Sequence, residues 1–280
     1  MRRLDLHTHS TASDGTFSPR DLVKLAKLAG LAGVGLCDHD TVEGVEEFKK
    51  AGLEFGFAVI GGVELSLEFS NITHLLGLDV AGSLERPPLL LGLQDFRRQR
   101  NQRLFERLAE IGLSLSWETI ERLSGGGQIG RPHFAKAMIE KGYCHSIQEA
   151  FDRYLGKGRA AYVAKVRPTP KEALELLRGA GYAPVLAHPH SLRLPPDKWF
   201  QFLPQLKRDG LLGLEVYHPE HSPDQIKFFS GLARRFDLVI TAGSDFHGAN
   251  KRAPITWVKH HSPVGMEALS SLRTRLIGDK

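Results

Sequence analysis

The stretch Leu4–Gly15, LDLHTHSTASDG, starts as a mainly apolar strand pattern and ends in a polar loop closed by glycine. On a β-strand, residues two apart point to the same side, so His7 and His9 are predicted to project together. Two imidazoles that converge at a strand end can bind one metal ion, and Asp14 follows in a loop that can fold back over them. Alone this pair is a weak signal, because an exposed polar edge has the same pattern.

The composition is that of an ordinary globular protein, since 41% of the 280 residues are hydrophobic and 25% are charged. The length suits one barrel-sized domain with a small appendage. No apolar run approaches the roughly 18 residues that span a bilayer, so we expect no association with a membrane. Cys37 and Cys144 are the only cysteines, which excludes a disulfide framework and favours a cytoplasmic protein.

Short apolar runs alternate with helical patterns along most of the chain. The seven predicted strands are RRLDLH (2–7), GVGLCDH (33–39), FAVIGGVELSL (57–67), ITHLLGLDV (72–80), APVLAH (183–188), LGLEVYH (212–218) and LVITAGSD (238–245). Three intervening helices are predicted to begin after a hydroxyl N-cap followed by proline, at Ser18, Thr169 and Ser222. This alternation is typical of parallel βαβ units and predicts an α/β fold, either an open doubly wound sheet or a closed barrel.

Residues 94–165 interrupt the alternation with helical patterns alone. Within them, Leu104, Leu108 and Ile111 form one apolar stripe surrounded by arginines. We therefore predict a small helical insertion domain in this segment, within a barrel domain made of residues 1–93 and 166–280.

The insert also accounts for the net charge of +5. It holds 13 Lys and Arg against 8 Asp and Glu, whereas the remainder of the chain holds 24 of each kind. A basic segment beside a neutral body predicts an anionic substrate, either a small phosphate or a nucleic acid, unless it is only a solvated helical surface.

Residues of metal-binding type also stand in or after five further predicted strands. They are Asp38, His39 and Asp40 (CDHD), Glu64 (GGVELS), His74 (ITHLL), His188 and His190 (VLAHPH), and Asp245 and His247 (AGSDFHG). A buried charge is costly unless it is paired or binds a metal ion. Structural histidines with ordinary hydrogen-bond partners explain one or two of these positions, but not the whole set. Because these residues recur at the ends of different strands, a barrel is favoured over an open sheet.

Six histidines and three carboxylates of this set suffice for two or three divalent metal ions. Nitrogen and oxygen ligands without thiolates favour Mn²⁺, with Zn²⁺ or Fe²⁺ as alternatives. Such ions lower the pKa of a bound water from about 16 towards 7 and neutralise charge on phosphoryl oxygens. The residues therefore predict hydrolysis of phosphate esters, with amide hydrolysis as the nearest alternative.

Taken in order, HTHS and SDG, CDHD, Glu64 in GGVELS, ITH, AHPH and GSDFH resemble the motifs of the PHP (polymerase and histidinol phosphatase) family. The resemblance implies a distorted seven-stranded (β/α) barrel of PHP type with a trinuclear metal site. By motif position it implies three ligand groups: His7, His9, Glu64 and Asp245; Glu64, His74 and His188; and Asp14, His39 and His247. Several members have histidine where this chain has Asp14, which implies a weaker or different third ion.

The insert sequence IGRPHFAKAMIEKGYCHSIQEAFDRYLGKGRAAYV (129–163) and the stretch EVYHPEHS (215–222) resemble one branch of the family. That branch has 3′,5′-nucleoside bisphosphate phosphatase activity, and some of its members trim short RNA from the 5′ end. The resemblance implies that a small phosphorylated substrate, with short RNA as an alternative, is the binding partner. It implies no protein partner.

Five further residues are predicted to take part beyond the metal ligands. Arg131 and His133 flank the start of a predicted helix, where free N–H groups favour phosphate, unless Arg131 only forms a surface ion pair. His218 is either a substrate contact or part of an ordinary polar loop. Asp40 and His190 are predicted either to orient metal ligands or to protonate the leaving alkoxide.

Together these observations predict removal of the 3′-phosphate of a 3′,5′-nucleoside bisphosphate by metal-activated hydroxide, for example adenosine 3′,5′-bisphosphate to AMP. A 5′-to-3′ exonuclease on short RNA is the alternative, either in the same protein or in its place. Histidinol phosphate fits less well, because a basic insert does not suit a substrate with an amine. A non-catalytic metal-binding or regulatory module is the alternative from a different class.

Overall fold

The computed structural model describes residues 3–69, 73–82, 88–126, 129–164 and 167–278. The chain divides into two compact units, Met1–Pro88 with Arg167–Lys280, and Leu89–Val166. The predicted boundary at residues 165 and 166 lies outside the described residues. Among the described residues, no helix combines the length and the apolar character that crossing a bilayer requires.

The first unit is built on one sheet of seven strands in sequential order. They are β1 (Leu4–Thr8), β2 (Gly33–Leu36), β3 (Ala58–Ser66), β4 (His74–Leu78), β5 (Ala183–Leu186), β6 (Gly213–Tyr217) and β7 (Val239–Ala242). All seven predicted strands are confirmed. The first and last strands meet beyond β7, where Thr8 bridges Phe246 and the Asp245 N–H donates to the His7 carbonyl at 2.9 Å. The sheet therefore nearly closes into a barrel.

The direction of β4 differs from the prediction. It pairs antiparallel with both β3 and β5, whereas the other neighbouring strands pair in parallel. The expectation of parallel βαβ units throughout is therefore wrong at this strand. The physical reason is the connection between β3 and β4, residues 67–73, which is too short for the dozen or more residues that a parallel crossover needs.

Eleven α-helices lie in the described ranges. They are α1 (Pro19–Leu28), α2 (Val45–Phe55), α3 (Pro88–Glu110), α4 (Trp117–Ser124), α5 (Arg131–Glu140), α6 (Ile147–Ala150), α7 (Pro170–Gly179), α8 (Trp199–Arg208), α9 (Pro223–Arg235), α10 (Trp257–His261) and α11 (Met266–Gly278). The three predicted N-caps are confirmed. The hydroxyl groups of Ser18, Thr169 and Ser222 accept the backbone N–H three residues later, at the starts of α1, α7 and α9.

The second unit is helical and has its own apolar core. Leu104 and Leu108 of α3 and Phe134 and Met138 of α5 are fully or almost fully buried in it. The predicted stripe is wrong at Ile111, which follows the end of α3 and is 41% exposed. The helix stops one residue before the stripe would have been completed.

Glycine at position 77 lets α7 pack closely on the sheet. A Cβ atom there would collide with Leu177 Cδ2 and lie 3.3 Å from Val63 Cγ1, whereas a Cβ at Gly231 of α9 would meet nothing within 4 Å. We expect Gly77→Ala to lower the free energy of unfolding by about 1–3 kcal/mol through overpacking. The matched change Gly231→Ala is expected to raise it by about 0.5–1 kcal/mol, because alanine favours a helix interior.

Urea unfolding of the metal-free protein, followed by circular dichroism, measures both changes. An equal response of the two variants would show that close packing at position 77 does not control stability.

Candidate metal centre

All nine predicted ligands lie at one end of the barrel. His7 and Glu64 lie near the C-terminal ends of β1 and β3, and His74 is the first residue of β4. Because β4 runs antiparallel to β3, its first residue meets the ends of the other strands. The remaining predicted ligands follow β1, β2, β5 and β7: His9, Asp14, His39, His188, Asp245 and His247.

The first group joins β1 to the segment after β7. His7 Nε2 and His9 Nε2 lie 3.2 Å apart, and Asp245 Oδ1 is 3.6 and 3.3 Å from these two atoms. The short distance between the two ring nitrogens confirms that both imidazoles point to the same side of the strand. Both are fully buried.

The second group is centred on Glu64. Its Oε1 atom lies 2.8 Å from His74 Nδ1 and 3.0 Å from His188 Nε2, and these two nitrogens are 3.2 Å apart. Its other oxygen, Oε2, faces His9 Nε2 at 3.3 Å and His39 Nδ1 at 2.8 Å. One carboxylate therefore faces two clusters of imidazoles, as the prediction of a bridging Glu64 requires.

The third group includes Asp14, which lies in the loop after β1. Asp14 Oδ1 lies 3.2 Å from His247 Nε2, and Asp14 Oδ2 lies 3.8 Å from His39 Nε2. One ligand atom from each of these three residues and from His9 lies within 4.8 Å of the others. The Asp14 side chain is 42% exposed, whereas His247 is almost fully buried, so this group opens to solvent on the Asp14 side.

The spacing of these donors fits metal ions. Nitrogen or oxygen ligands about 2.0–2.2 Å from a tetrahedral ion lie about 3.3 Å from one another, close to the separations of His7 from His9 and of His74 from His188. Glu64 Oε2 is buried and lies 2.8 Å from His39 Nδ1. A buried carboxylate oxygen beside an imidazole nitrogen can bind one cation, and the whole donor set suggests divalent metals.

The pKa values of the predicted ligands are shifted in different directions within the centre. Burial opposes ionisation of Glu64, but the imidazoles that surround it, first among them His74, hold the pKa of its carboxyl well below the usual range. Burial lowers the pKa of the His74 and His247 imidazoles to about 4. By contrast, Asp245 and Glu64 overcome the effect of burial and raise the pKa of His9 to about 9. Ionised carboxylates and neutral imidazoles are the forms that bind metals.

Backbone strain is concentrated at the same end of the barrel. Asp40, His188 and Asp245 have φ angles of +50°, +25° and +51°, in a region that non-glycine residues seldom adopt. They lie two to four residues after the ends of β2, β5 and β7, respectively. Such strain persists only where surrounding contacts enforce it, and it is typical of functional sites.

Sequence reasoning missed the carboxylate of Glu215, which lies behind two predicted ligands. Its Oε1 is 3.0 Å from His7 Nδ1, and its Oε2 accepts the His188 backbone N–H at 2.7 Å. The contact directs the other ring nitrogen of His7 towards Asp245, the arrangement that orients metal-bound histidines. The signal was present, because Glu215 is a charge within an apolar strand, as Glu64 is.

Asp38 and Asp5 also support the site from behind. Asp38 accepts hydrogen bonds from Ser10 N at 2.8 Å, Ser10 Oγ at 2.6 Å and Ser13 Oγ at 2.5 Å. It therefore fixes the loop that carries Asp14. Asp5 accepts Ser244 N–H at 3.0 Å, beside Asp245 at the closure of the barrel.

Asp40 and His190, two further predicted site residues of the first unit, each contact a neighbouring polar group. Asp40 accepts the Ser66 N–H at 2.9 Å, which ties the end of β3 to the segment carrying His39. His190 Nε2 lies 2.8 Å from Glu220 Oε2, and burial lowers the pKa of this imidazole. The predicted roles of Asp40 and His190, to orient metal ligands or to protonate the leaving alkoxide, stay predictions.

His218 lies beside the first ligand group. Its Nδ1 accepts the Glu220 N–H at 3.2 Å, which leaves the proton on Nε2, 3.7 Å from Asp245 Oδ2. His218 is 2% exposed and lies just after the end of β6, and its contact with a substrate stays a prediction.

Arg131 and His133 begin α5 in the second unit, as predicted. His133 Nδ1 accepts the N–H of Gly130 at 3.0 Å and so caps its own helix. The Arg131 guanidinium donates to the Leu155 carbonyl at 3.2 Å and lies 5.6 Å from the ring centres of Phe151 and Tyr162. Their contact with a substrate stays a prediction.

Comparison with known proteins agrees with this geometry. The model of the PHP domain family matches residues 5–162. The 5′-3′ exoribonuclease of Haemophilus influenzae is 32% identical over 261 residues, which cover 92% of this chain and 93% of that protein. The 3′,5′-nucleoside bisphosphate phosphatase of Chromobacterium violaceum is 30% identical over 256 residues, which cover 88% of each.

A solved structure from Bifidobacterium adolescentis, a candidate metal-dependent phosphoesterase, is similar over nearly its whole length. It is 29% identical, has a TM-score of 0.81, and the match covers 99% of this chain and 98% of that one. The likeness confirms the predicted barrel type. With more than half of its residues matched by the family model, the chain belongs to the PHP domain family.

Proposed function

We propose that this protein is a metal-dependent phosphoesterase that removes the 3′-phosphate of 3′,5′-nucleoside bisphosphates. The observation that carries the proposal is the meeting of three nitrogen and oxygen ligand groups around Glu64 and Asp245 at one end of the barrel. The relatives named for bisphosphate phosphatase and exoribonuclease activity support the choice of a phosphate ester of a nucleotide.

Two to three divalent ions would occupy this end of the barrel, and Mn²⁺ is our first choice, before Zn²⁺ or Fe²⁺. The ligands proposed for the three ions are His7, His9, Glu64 and Asp245; Glu64, His74 and His188; and Asp14, His39 and His247. When bound, such ions polarise phosphoryl oxygens and supply a nucleophile at neutral pH. Asp14, the most exposed of the nine, would hold the third ion least firmly.

The protein's own residues would position the reacting groups. Glu215 fixes the ring of His7 and the backbone of His188, and Asp38 fixes the loop of Asp14. His218 carries an Nε2 proton beside Asp245, so it can donate a hydrogen bond to a phosphoryl oxygen. Arg131 is proposed to bind the second phosphate, because a guanidinium can hold two phosphate oxygens at once.

We also propose a cytoplasmic location. Both cysteines of the chain, Cys37 and Cys144, are free and buried, which suits a reducing compartment.

Substrate comparison tests the proposed specificity. With Mn²⁺ present, phosphate release from adenosine 3′,5′-bisphosphate is expected to show a kcat/KM at least about 10-fold higher than release from AMP, because the second phosphate adds charge-assisted hydrogen bonds. A chelator should abolish the release and added Mn²⁺ should restore it. Equal kcat/KM values for the two substrates would contradict the proposed specificity for bisphosphates.

Exonuclease activity is a second candidate, favoured by the excess of basic residues in the insert. If the insert binds an RNA backbone, a 5′-phosphorylated oligonucleotide should be cleaved with a lower KM than a dinucleotide. That advantage should fall as salt rises, because phosphate contacts release counterions. A KM that changes with neither length nor salt would contradict this candidate.

Glu215→Gln tests whether the site binds metal through oriented histidines. The amide cannot accept hydrogen bonds at both ends, so we expect divalent metal affinity to fall about 10- to 100-fold in calorimetric titration. Glu220→Gln is the matched control, since Glu220 is 67% exposed and pairs with His190, which is not a proposed ligand. The control should stay within about twofold of the parent protein.

Equal affinities in the two variants would contradict an orienting role for Glu215. A parent protein that binds no ion at all would instead support the alternative of a non-catalytic regulatory module.

A further inference from the structure

The segment after β7 is fixed against the loop that carries Asp14. Asn250 Nδ2 donates to the Asp14 carbonyl at 2.7 Å, and the Ala249 N–H donates to Thr16 Oγ1 at 3.0 Å. Gly248, with φ of +66°, lies so close to Thr16 that a Cβ atom would collide with its hydroxyl. The next side chain, Lys251, therefore starts from a defined position beside the candidate metal centre.

Lys251 forms an ion pair with the outer oxygen of Asp245. Its ammonium group contacts Asp245 Oδ2, whereas the Oδ1 atom of the same carboxylate faces His9 at 3.3 Å and His247 at 3.4 Å. The Lys251 side chain is 42% exposed, but that of Asp245 is only 9% exposed. Lys251 is thus a cation that solvent reaches, in direct contact with a residue of the candidate metal centre.

We propose that Lys251 binds a phosphoryl oxygen of the substrate at the metal centre. The inference rests on the proposed phosphoesterase function and names a residue of this chain that recognises the phosphate. An ammonium group has three N–H donors, and its contact with Asp245 uses one of them. The other donors are available to an anion that reaches the centre from solvent. The long lysine stem lets the ammonium follow that anion without releasing the fixed segment 248–250.

A simpler role would be that Lys251 only balances the charge of Asp245. That role predicts an effect on metal binding, because loss of the ammonium would change the affinity of Asp245 for a cation. Phosphate recognition instead predicts an effect on anion binding at constant metal content. The two roles therefore separate when both quantities are measured on the same protein.

The test compares Lys251→Met with Lys259→Met. Lys259 lies on α10, is exposed, and its ammonium donates to the Ala29 carbonyl at 2.9 Å, so it is a matched lysine away from the centre. Calorimetry with inorganic phosphate on the Mn²⁺-loaded proteins should give a Kd about 10- to 100-fold higher for Lys251→Met only. The KM for adenosine 3′,5′-bisphosphate should rise by a similar factor, whereas metal content should not change.

Lys251→Arg should recover most of the phosphate affinity, because it restores the charge. An unchanged phosphate Kd in Lys251→Met would overturn the inference, and so would a loss of bound Mn²⁺ in that variant. If the parent protein binds phosphate and hydrolyses the ester, and Lys251→Met has the same phosphate Kd and KM, only this inference fails. If the parent protein binds Mn²⁺ but neither binds nor releases phosphate, the proposed function fails as well.

Discussion

The burial of one carboxylate, Glu64, is the constraint on which the catalytic end of this barrel depends. Ring nitrogens of five histidines lie within 3.4 Å of its two oxygens: His7, His9, His39, His74 and His188. Removing a carboxylate from water costs several kcal/mol unless partners replace the lost hydration. Since these partners lie in or just after different strands, Glu64 can be buried only when β1 to β5 are correctly ordered around it. The strand order of the sheet and the geometry of the metal centre therefore depend on each other.

Much of this arrangement could be predicted because it is encoded locally. A two-residue spacing places His7 and His9 on one side of a strand, and a charge in the apolar run around Glu64 is visible without any structure. The direction of β4 was not visible, because an apolar run looks alike in parallel and antiparallel pairing. It follows instead from the short connection of residues 67–73. The role of Glu215 also escaped prediction, since its partners come from distant parts of the chain.

The carboxylates behind the proposed ligands fix the chain segments that carry them, and Glu215 also fixes the ring of His7. Asp38 and Glu215 each accept hydrogen bonds at both oxygens, from the loop of Asp14 and from the histidine-bearing strands. Asp5 does the same at the closure of the barrel, where burial raises the pKa of its carboxyl to about 7. A ligand whose rotamer is already fixed loses little entropy when it binds an ion. The strained backbone at Asp245 is tolerated for the same reason, because neighbouring contacts determine it.

The charge of the centre links substrate binding to metal binding. Asp14, Glu64 and Asp245 are all ionised, with the pKa of each carboxyl held low, while burial keeps His74 and His247 neutral. The carboxylates also raise the pKa of His9 to about 9, so divalent cations that replace its proton would add positive charge and attract a phosphate dianion. By reciprocity, a bound phosphate must then strengthen metal binding by the same factor as the metal strengthens phosphate binding. We expect this coupling to be strongest at Asp14, because it is the most exposed of the proposed ligands and would bind an ion least tightly without phosphate.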